Sequence, residues 1–292
     1  MRKLTGVCTI IGVYMMIFGA VSLPGSLFHT KLGWPLLPNL LLLDVIATVL
    51  VFIVGYFVKS PSFYDPYWSV QTWIFYLFVL IEYGNWNVGS VLVFAVLTFY
   101  SVRLTVHFFI GFDDLQYVDW RYRMLRQKAG KNFQLVSFFG IHMMPTLLVY
   151  LASVPFFLYA ENWAFHPLDI IGLSVMVAAV TVEMVADLQM KKWRATRSSR
   201  EEVGEVGLWK YSRHPNYLGE ISFWFGGALL LLAHLDHWYW MAGAIAILVL
   251  FLVVSIPMIE KNFLTYKPDY PEYQRRTHML LILPLKGGKK NP

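Results

Sequence analysis

The chain has 292 residues, 57% hydrophobic and only 14% charged, with a net charge of +6 and one cysteine. A charge fraction well below the roughly 25% of soluble domains excludes an ordinary water-soluble fold. The lone Cys8 excludes an internal disulfide framework and a cysteine-based metal site, and no other metal-ligand pattern is present. The basic excess falls between apolar runs, where it reads as membrane topology beside anionic lipid and not as a nucleic-acid footprint.

Runs of about 18 or more apolar residues read as bilayer-spanning helices. In chain order they fall at residues 7–23, 36–58, 68–83, 88–110, 133–160, 168–188, 217–232 and 238–258. The first follows Arg2-Lys3 and contains Ala20 and Ser22, so it is either a retained helix or a cleaved leader, with the length favouring retention. The third and seventh are short and carry polar residues, which suits tilted helices or helices beside a cavity. The fifth holds Pro145 and Pro155 and predicts a kink or a break. Trp68, Trp86, Trp163, Trp238 and Trp240 sit near span ends, as interfacial anchors do.

Lys and Arg then alternate from loop to loop. Arg2 and Lys3 precede the first span and Lys59 follows the second. Arg121, Arg123, Arg126, Lys128 and Lys131 follow the fourth, and Lys191, Lys192, Arg194, Arg197, Arg200, Lys210 and Arg213 the sixth. Lys261, Lys267, Arg275, Arg276, Lys286, Lys289 and Lys290 follow the eighth, whereas the opposite connections hold only Lys31. The expectation is an all-α polytopic bundle of about seven to eight spans with both termini cytoplasmic. Residues 1–35 would be an additional helix and loop, and residues 36–292 the main domain. The same rule holds for a bacterial inner membrane and for the endoplasmic reticulum.

A charge inside a membrane helix costs about 2.5–3.5 kcal/mol at its centre, so each needs a reason. The candidates are Asp44, Glu82, Arg103, Glu183, Asp187, Glu220 and Glu260, most of them toward the cytoplasmic ends. Asp44 lies near mid-membrane without an evident partner. Glu183 and Asp187 share one helix face and require a cation or donor between them, which Arg103, Arg194 or Arg213 could supply. The densest polar segment, residues 207–220, reads Gly-Leu-Trp-Lys-Tyr-Ser-Arg-His-Pro-Asn-Tyr-Leu-Gly-Glu. Lys210, Tyr211, Arg213 and His214 offer donors suited to phosphate. Pro215 marks a helix start whose free N–H groups favour anions. Asn216 and Glu220 share a face and can address an amide, a ribose or a base edge. An anionic cofactor site explains the segment better than an amphipathic connector on lipid headgroups.

This segment resembles the signature of membrane proteins related to steroid 5-alpha-reductase, most nearly the largely uncharacterised branch that shares its C-terminal domain. Glu183-Met-Val-Ala-Asp187-Leu-Gln189, continuing to Arg194, is similar to that branch's acidic helix motif. Asp65-Pro-Tyr-Trp68 resembles its Asp-x-x-Trp element, and Tyr100-Ser-Val-Arg103 resembles the Tyr and Arg of the reductases' active-site helix. The resemblance spans roughly residues 40–285. It implies an NADPH-dependent reductase acting on the conjugated carbonyl of a lipid-like substrate that enters from the bilayer. Tyr100, with Asp65 as acidic partner, would polarise the carbonyl oxygen. Arg103, Glu183, Asp187, Arg194, Tyr211, Arg213, His214, Asn216, Tyr217 and Glu220 would form the cofactor site, open to the cytoplasm. The steroid enzymes have Glu where this chain has Asp65, and an amide at Glu183. Their last helix carries Arg, His and Tyr where this chain has Ser255, Ile259 and Phe263, so the resemblance does not imply a steroid. No Gly-x-Gly-x-x-Gly follows a strand pattern, which excludes a Rossmann site.

Two other readings stay open. Membrane methyltransferases of the isoprenylcysteine and phospholipid type also carry Arg-His-Pro-x-Tyr, followed by a Glu-rich last helix. Glu260-Lys-Asn-Phe-Leu264 with Tyr270 and Tyr273 echoes that pattern, with S-adenosylmethionine as the implied cofactor. A transporter or structural membrane protein would need its polar groups to line a through-path, and only Asp44 is deep enough to suggest one.

Overall fold

A computed structural model describes residues 2–285, with the backbone alone described for residues 24–31. Lys286, Lys289 and Lys290 therefore lie outside the described residues, as does the side chain of Lys31. The described chain is helical, apart from turns and one isolated parallel bridge between Ser212 and His278. It divides into two compact units, Met1–His166 and Pro167–Pro292.

In the first unit, α1 (Arg2–Leu32), α2 (Leu36–Phe57), α3 (Tyr67–Tyr83) and α4 (Val88–Gly111) are the first four expected spans. They are helices because each is an apolar run with backbone bonds satisfied internally, and their ends carry local stop signals. Gly84, at φ 68°, ends α3 in the left-handed conformation that glycine adopts without a Cβ penalty. Asn87 opens α4 with a reciprocal cap: its side chain accepts from the Ser90 N–H while Ser90 Oγ accepts from the Asn87 N–H.

After α5 (Trp120–Ala129), the short α6 (Phe133–Val136) leads through a π-helical turn, Ser137–Met143, into α7 (Met144–Asn162). The expected break at Pro145 takes this form. A proline ring clashes with the carbonyl four residues back, here that of Ile141, and the widened turn accommodates it. The pattern recurs at Pro257, which follows a second π-helical turn, Phe251–Ser255. Pro155, in contrast, sits inside α7.

Between these helices, buried hydroxyls pair with one another. Thr72 Oγ1 is 2.6 Å from Ser153 Oγ, and Thr146 Oγ1 is 2.9 Å from both Thr48 Oγ1 and the Tyr64 hydroxyl. The first helix packs into this unit. Tyr14 donates to the Phe63 carbonyl at 2.5 Å, and the Phe18 ring stacks on Tyr67 with centroids 5.6 Å apart.

The second unit is built on α8 (Asp169–Thr196) and α9 (Pro215–Ala228), followed by α10 (Ala242–Leu250), α11 (Ile256–Leu264) and α12 (Tyr270–Arg276). The two leading helices approach closely because glycines remove side chains at the contact. A Cβ on Gly219 would lie 2.6 Å from Glu183 Cβ and 2.7 Å from the Ala179 carbonyl oxygen. One on Gly226 would lie 2.9 Å from the Met176 amide nitrogen.

Among the described residues, six helical stretches are long and apolar enough to cross a membrane: Arg2–Leu23, Leu36–Phe57, Val88–Gly111, Trp120–Asn162, Asp169–Thr196 and Leu235–Leu264. The chain is a multi-pass membrane protein. The two remaining expected spans are real helices of 17 and 14 residues. At 1.5 Å per residue they reach about 25 and 21 Å, short of a core of about 30 Å. The 3₁₀ turn Leu229–Ala233 continues α9 and lengthens it by about 10 Å. Large apolar side chains are exposed along α1 (Met15, Met16) and α4 (Val91, Val102, Val106), as lipid-facing surfaces are.

Candidate active site

The second unit gathers most of the residues expected to bind cofactor. Residues 207–214 are clamped from both sides. On one side Gln189 Oε1 of α8 accepts from the Leu208 N–H at 2.8 Å, and Trp209 Nε1 donates to the Ala186 carbonyl at 2.8 Å. On the other, the segment after α12 runs alongside. The Arg213 N–H donates to the His278 carbonyl (2.8 Å), the His214 N–H to Met279 (3.1 Å) and Ser212 Oγ to Leu280 (2.6 Å). Tyr273 of α12 donates to the Trp209 carbonyl at 2.5 Å.

Glu260 of α11 is the hub of this clamp. One carboxylate oxygen accepts from Arg213 Nε (2.7 Å), from His214 Nε2 (2.9 Å) and from the Tyr270 hydroxyl (3.3 Å). The other accepts from Gln274 Nε2 (2.8 Å). Because a carboxylate only accepts, His214 carries its proton on Nε2. Burial lowers the His214 pKa, with Arg213 adding to the effect and the bond to Glu260 opposing it. Arg213 Nη1 donates to the Gln274 and Thr277 carbonyls at 3.0 and 2.7 Å. The guanidinium expected to face phosphate is thus directed at Glu260 and two carbonyls. In the sequence Glu260 is one of several intramembrane charges and part of the methyltransferase-like last-helix pattern. Tyr270 and Gln274, on the following helix, complete the hub; Tyr270 belongs to that same pattern, while Gln274 has no sequence signal tying it to Arg213.

The acidic helix and the Asn-Tyr-x-Gly-Glu turn meet across the close contact of α8 and α9. Asn216 Nδ2 donates to Asp187 Oδ1 at 3.3 Å. Asn216 Oδ1 is buried without a partner among the described residues. Glu183 is buried directly under Gly219. Glu220, also buried, accepts from Trp224 Nε1 at 2.7 Å. Tyr217 stacks on the His214 ring, with centroids 5.4 Å apart. Tyr211 and Arg194 are exposed.

The first unit holds the other expected residues. Tyr100 is fully buried on α4, and Arg103 is buried one turn on. Asp65 caps the 3₁₀ turn Pro61–Tyr64. Its carboxyl accepts a 2.5 Å hydrogen bond from the hydroxyl of Tyr122 on α5. Burial pushes the Asp65 pKa up to about 7, Arg121 opposing and Asp119 reinforcing the shift. An acid paired with a tyrosine hydroxyl is therefore present, but the tyrosine in hydrogen-bond contact is Tyr122, which the motifs did not single out. Asp44 also has a partner that sequence reasoning missed. It is 1% exposed and accepts a 2.6 Å bond from Tyr67. Tyr14, Phe18 and Tyr64 crowd the Tyr67 ring, a packed setting for the acid that suggested a through-path.

Comparison with known proteins bears out the resemblance read from the motifs. Residues 51–277 match the family model described as a protein of unknown function, DUF1295. An uncharacterised protein of Schizosaccharomyces pombe is 28% identical over 245 residues, covering 74% of this chain and 70% of the relative. The 3-oxo-5-alpha-steroid 4-dehydrogenase 1 of Mus musculus is 29% identical over 105 residues, 35% of this chain and 41% of that enzyme. The Rattus norvegicus protein of the same name is 28% identical over 105 residues, 40% of its length. The aligned region thus spans well under half of either steroid dehydrogenase. No solved structure matches the chain.

Proposed function

The chain belongs to the DUF1295 family, and on that premise we propose that it is a membrane oxidoreductase that uses NADPH to reduce a conjugated carbonyl compound of lipid-like character. The observation that carries this reading is the joint of α8 and α9. Asp187 and Asn216 belong to two separate motifs and are hydrogen-bonded to each other, leaving a buried amide oxygen, Asn216 Oδ1, with its accepting capacity unmet. A buried acceptor without a donor costs about 1–3 kcal/mol, so such an atom favours a ligand that brings an amide or hydroxyl hydrogen. A nicotinamide dinucleotide brings both.

In this reading Asp187, Asn216, Glu183 and Glu220 receive the cofactor's amide and ribose groups, and Arg194, Tyr211 and Tyr217 its phosphates and rings. Arg213 and His214, fixed by Glu260, hold the wall in place. The bound cofactor would supply hydride to the beta carbon. Tyr100 would donate a hydrogen bond to the substrate carbonyl oxygen, stabilising the charge that develops there, and the dry surroundings of its helix strengthen that bond. Asp65, with a pKa of about 7, exchanges a proton readily at neutral pH and serves as the acid of the pair. The substrate arrives sideways from the bilayer, and the cofactor arrives from the basic, cytoplasmic side.

One observation favours a second reading. Glu260, with Tyr270, gathers Arg213 and His214 into one cluster, joining the two halves of the methyltransferase-like pattern. The two readings separate on one titration of the full chain in detergent. A ligand at about 100 times its dissociation constant adds about 2.7 kcal/mol of stability. NADPH should raise the melting temperature, and S-adenosylmethionine should not. Stabilisation by S-adenosylmethionine alone would replace the reductase with a methyltransferase. Indifference to both would favour a non-enzymatic membrane protein.

A further inference from the structure

A second polar site lies in the first unit and shares no lining residue with the site assigned above. At the end of α2 a small cavity of about 20 Å3, room for a single water-sized group, opens between α2, α5 and the π-helical turn before α7. Its lining includes His142, Ser137, Gly55, Lys59 and Arg126, and no carboxylate.

His142 forms its floor. The residue is 1% exposed, and its Nδ1 lies 2.8 Å from the Ser137 carbonyl oxygen, a contact that exists because the turn is π-helical and places those residues in register. A carbonyl only accepts, so Nδ1 bears the hydrogen, and in the neutral imidazole Nε2 is left as an acceptor. Nε2 is buried and has no partner among the described residues. Gly55 faces Nε2, with a Cβ there falling at the ordinary contact distance of 4.0 Å, and its tight approach is to the Ser60 carbonyl oxygen at 3.1 Å.

The rim is cationic. Lys59 stands in the left-handed region, at φ 61°, a conformation that costs a lysine energy and turns the chain sharply where α2 ends. Arg126 lies over the Phe133 ring, 4.6 Å from its centroid. Beside this rim Tyr56, Phe57, Leu135 and Phe139 are all exposed apolar or aromatic side chains. The membrane-crossing stretch of α2 ends at Phe57, two residues before Lys59, so Lys59 stands at headgroup depth.

These features specify a ligand with three parts: an anionic group for Lys59 and Arg126, a hydroxyl donor within reach of it for His142 Nε2, and an apolar body for the exposed rings. We infer that the cavity is a headgroup site for an anionic phospholipid whose phosphate carries a hydroxyl-bearing substituent, of the phosphatidylglycerol class. Lys59 and Arg126 take the phosphate, and a headgroup hydroxyl enters the cavity and donates to His142 Nε2. This site does not depend on the reductase reading, and its test uses neither cofactor.

The comparison that decides it is made on the ligand. Phosphatidylethanol has the same charge and phosphodiester as phosphatidylglycerol but no headgroup hydroxyl. Titrated as short-chain lipids into the full chain in detergent, phosphatidylglycerol should bind about fivefold more tightly, the worth of one neutral hydrogen bond. His142→Phe should abolish that preference and leave charge-driven binding. Lys59→Gln and Arg126→Gln, both exposed, should each weaken the two anionic lipids about fivefold. Equal binding of the two lipids by the wild-type chain would overturn the inference, and this arm stands even where His142→Phe fails to fold. Binding indifferent to the Lys59 and Arg126 changes would overturn it as well. Soluble glycerol phosphate binding as tightly as the lipid would overturn the assignment to a membrane ligand.

Discussion

Tyr122 donates its hydroxyl hydrogen to the carboxyl of Asp65 across 2.5 Å, joining the start of α5 to the turn that opens α3. The bond orients the acid that the motifs nominate for catalysis, through a tyrosine that no motif contains. Tyr122→Phe should remove it with little change of shape. A lost hydrogen bond to a charged group is worth about 1.5–3 kcal/mol, so thermal stability at pH 8 should fall by that order. At pH 5, where Asp65 is protonated and able to donate elsewhere, the fall should be smaller. An equal loss at both pH values would show that the Tyr122 ring, and not its hydrogen bond, is what counts.

Asp65 itself sets a pH dependence whose sign follows from its raised pKa. A carboxyl near 3.8 when unfolded and about 7 when folded contributes stability that is fully present below pH 3.8. That contribution is lost as pH rises through 7. Asp65→Asn keeps an acceptor for Tyr122 and removes the titration. The variant should melt higher than the wild type at pH 8, with the gap closing toward pH 5. A gap that does not change with pH would place the raised pKa elsewhere.

The Arg213–Glu260 pair tests the second unit. Its side chains are 9% and 13% exposed, so removing the acid leaves a largely buried guanidinium without its counter-charge. Breaking such a pair costs about 3–5 kcal/mol. Glu260→Ala should therefore be strongly destabilising in a chemical or thermal melt. Arg213→Met with Glu260→Met together should recover much of that loss, because neither buried charge is then stranded. Failure of the double variant to recover would show that the hub's remaining bonds, to His214, Gln274 and Tyr270, dominate.

Gly219→Ala probes the helix contact that brings Asp187 to Asn216. The added methyl meets Glu183 Cβ and the Ala179 backbone, neither of which can swing aside. Overpacking of this kind costs about 1–3 kcal/mol. NADPH affinity should fall by more than the loss of stability explains, because the two motif residues are pushed apart. Unchanged affinity would detach the α8–α9 joint from the cofactor site.

Asn216→Ala is the more direct substitution. Asn216 is partly buried and its bond to Asp187 is long, at 3.3 Å, so the fold should survive. NADPH binding should weaken about tenfold or more, as expected when one or two hydrogen bonds are lost. Fluorescence titration with NADPH checks it. Glu220→Gln is the better companion than alanine, because the amide can still accept from Trp224 Nε1.

The helices were legible because membrane insertion writes them as apolar runs, and all eight expected segments are helical. The short third and seventh segments were legible too, down to their reduced length. Other features depend on contacts that leave no periodic trace. Asp44 looked partnerless because Tyr67 comes from the next helix, 23 residues away. Asp65 was assigned to Tyr100 by motif, while its hydrogen bond goes to Tyr122, 57 residues on, through a helix that carries no matching pattern. Arg213 looked like a phosphate ligand for the same reason. Its chemistry suits phosphate, and only the fold reveals that Glu260, Gln274 and Thr277 meet it. The π-helical turns were half legible: proline announces a disturbance but not that the helix will widen to absorb it.

The pairing of residues 212–214 with residues 278–280 bears on how the protein is made. Synthesis releases a chain from its N-terminus, and units fold in the order in which they are released. The first unit can complete itself while translation proceeds. The wall carrying Arg213 and His214 cannot do so until residues 278–280, its outer support some sixty positions further on, have also been made. Nascent chains arrested before Tyr270 would be membrane-inserted yet lack that support. A protease that cuts within residues 270–280 would undo a wall whose own residues lie some sixty positions upstream.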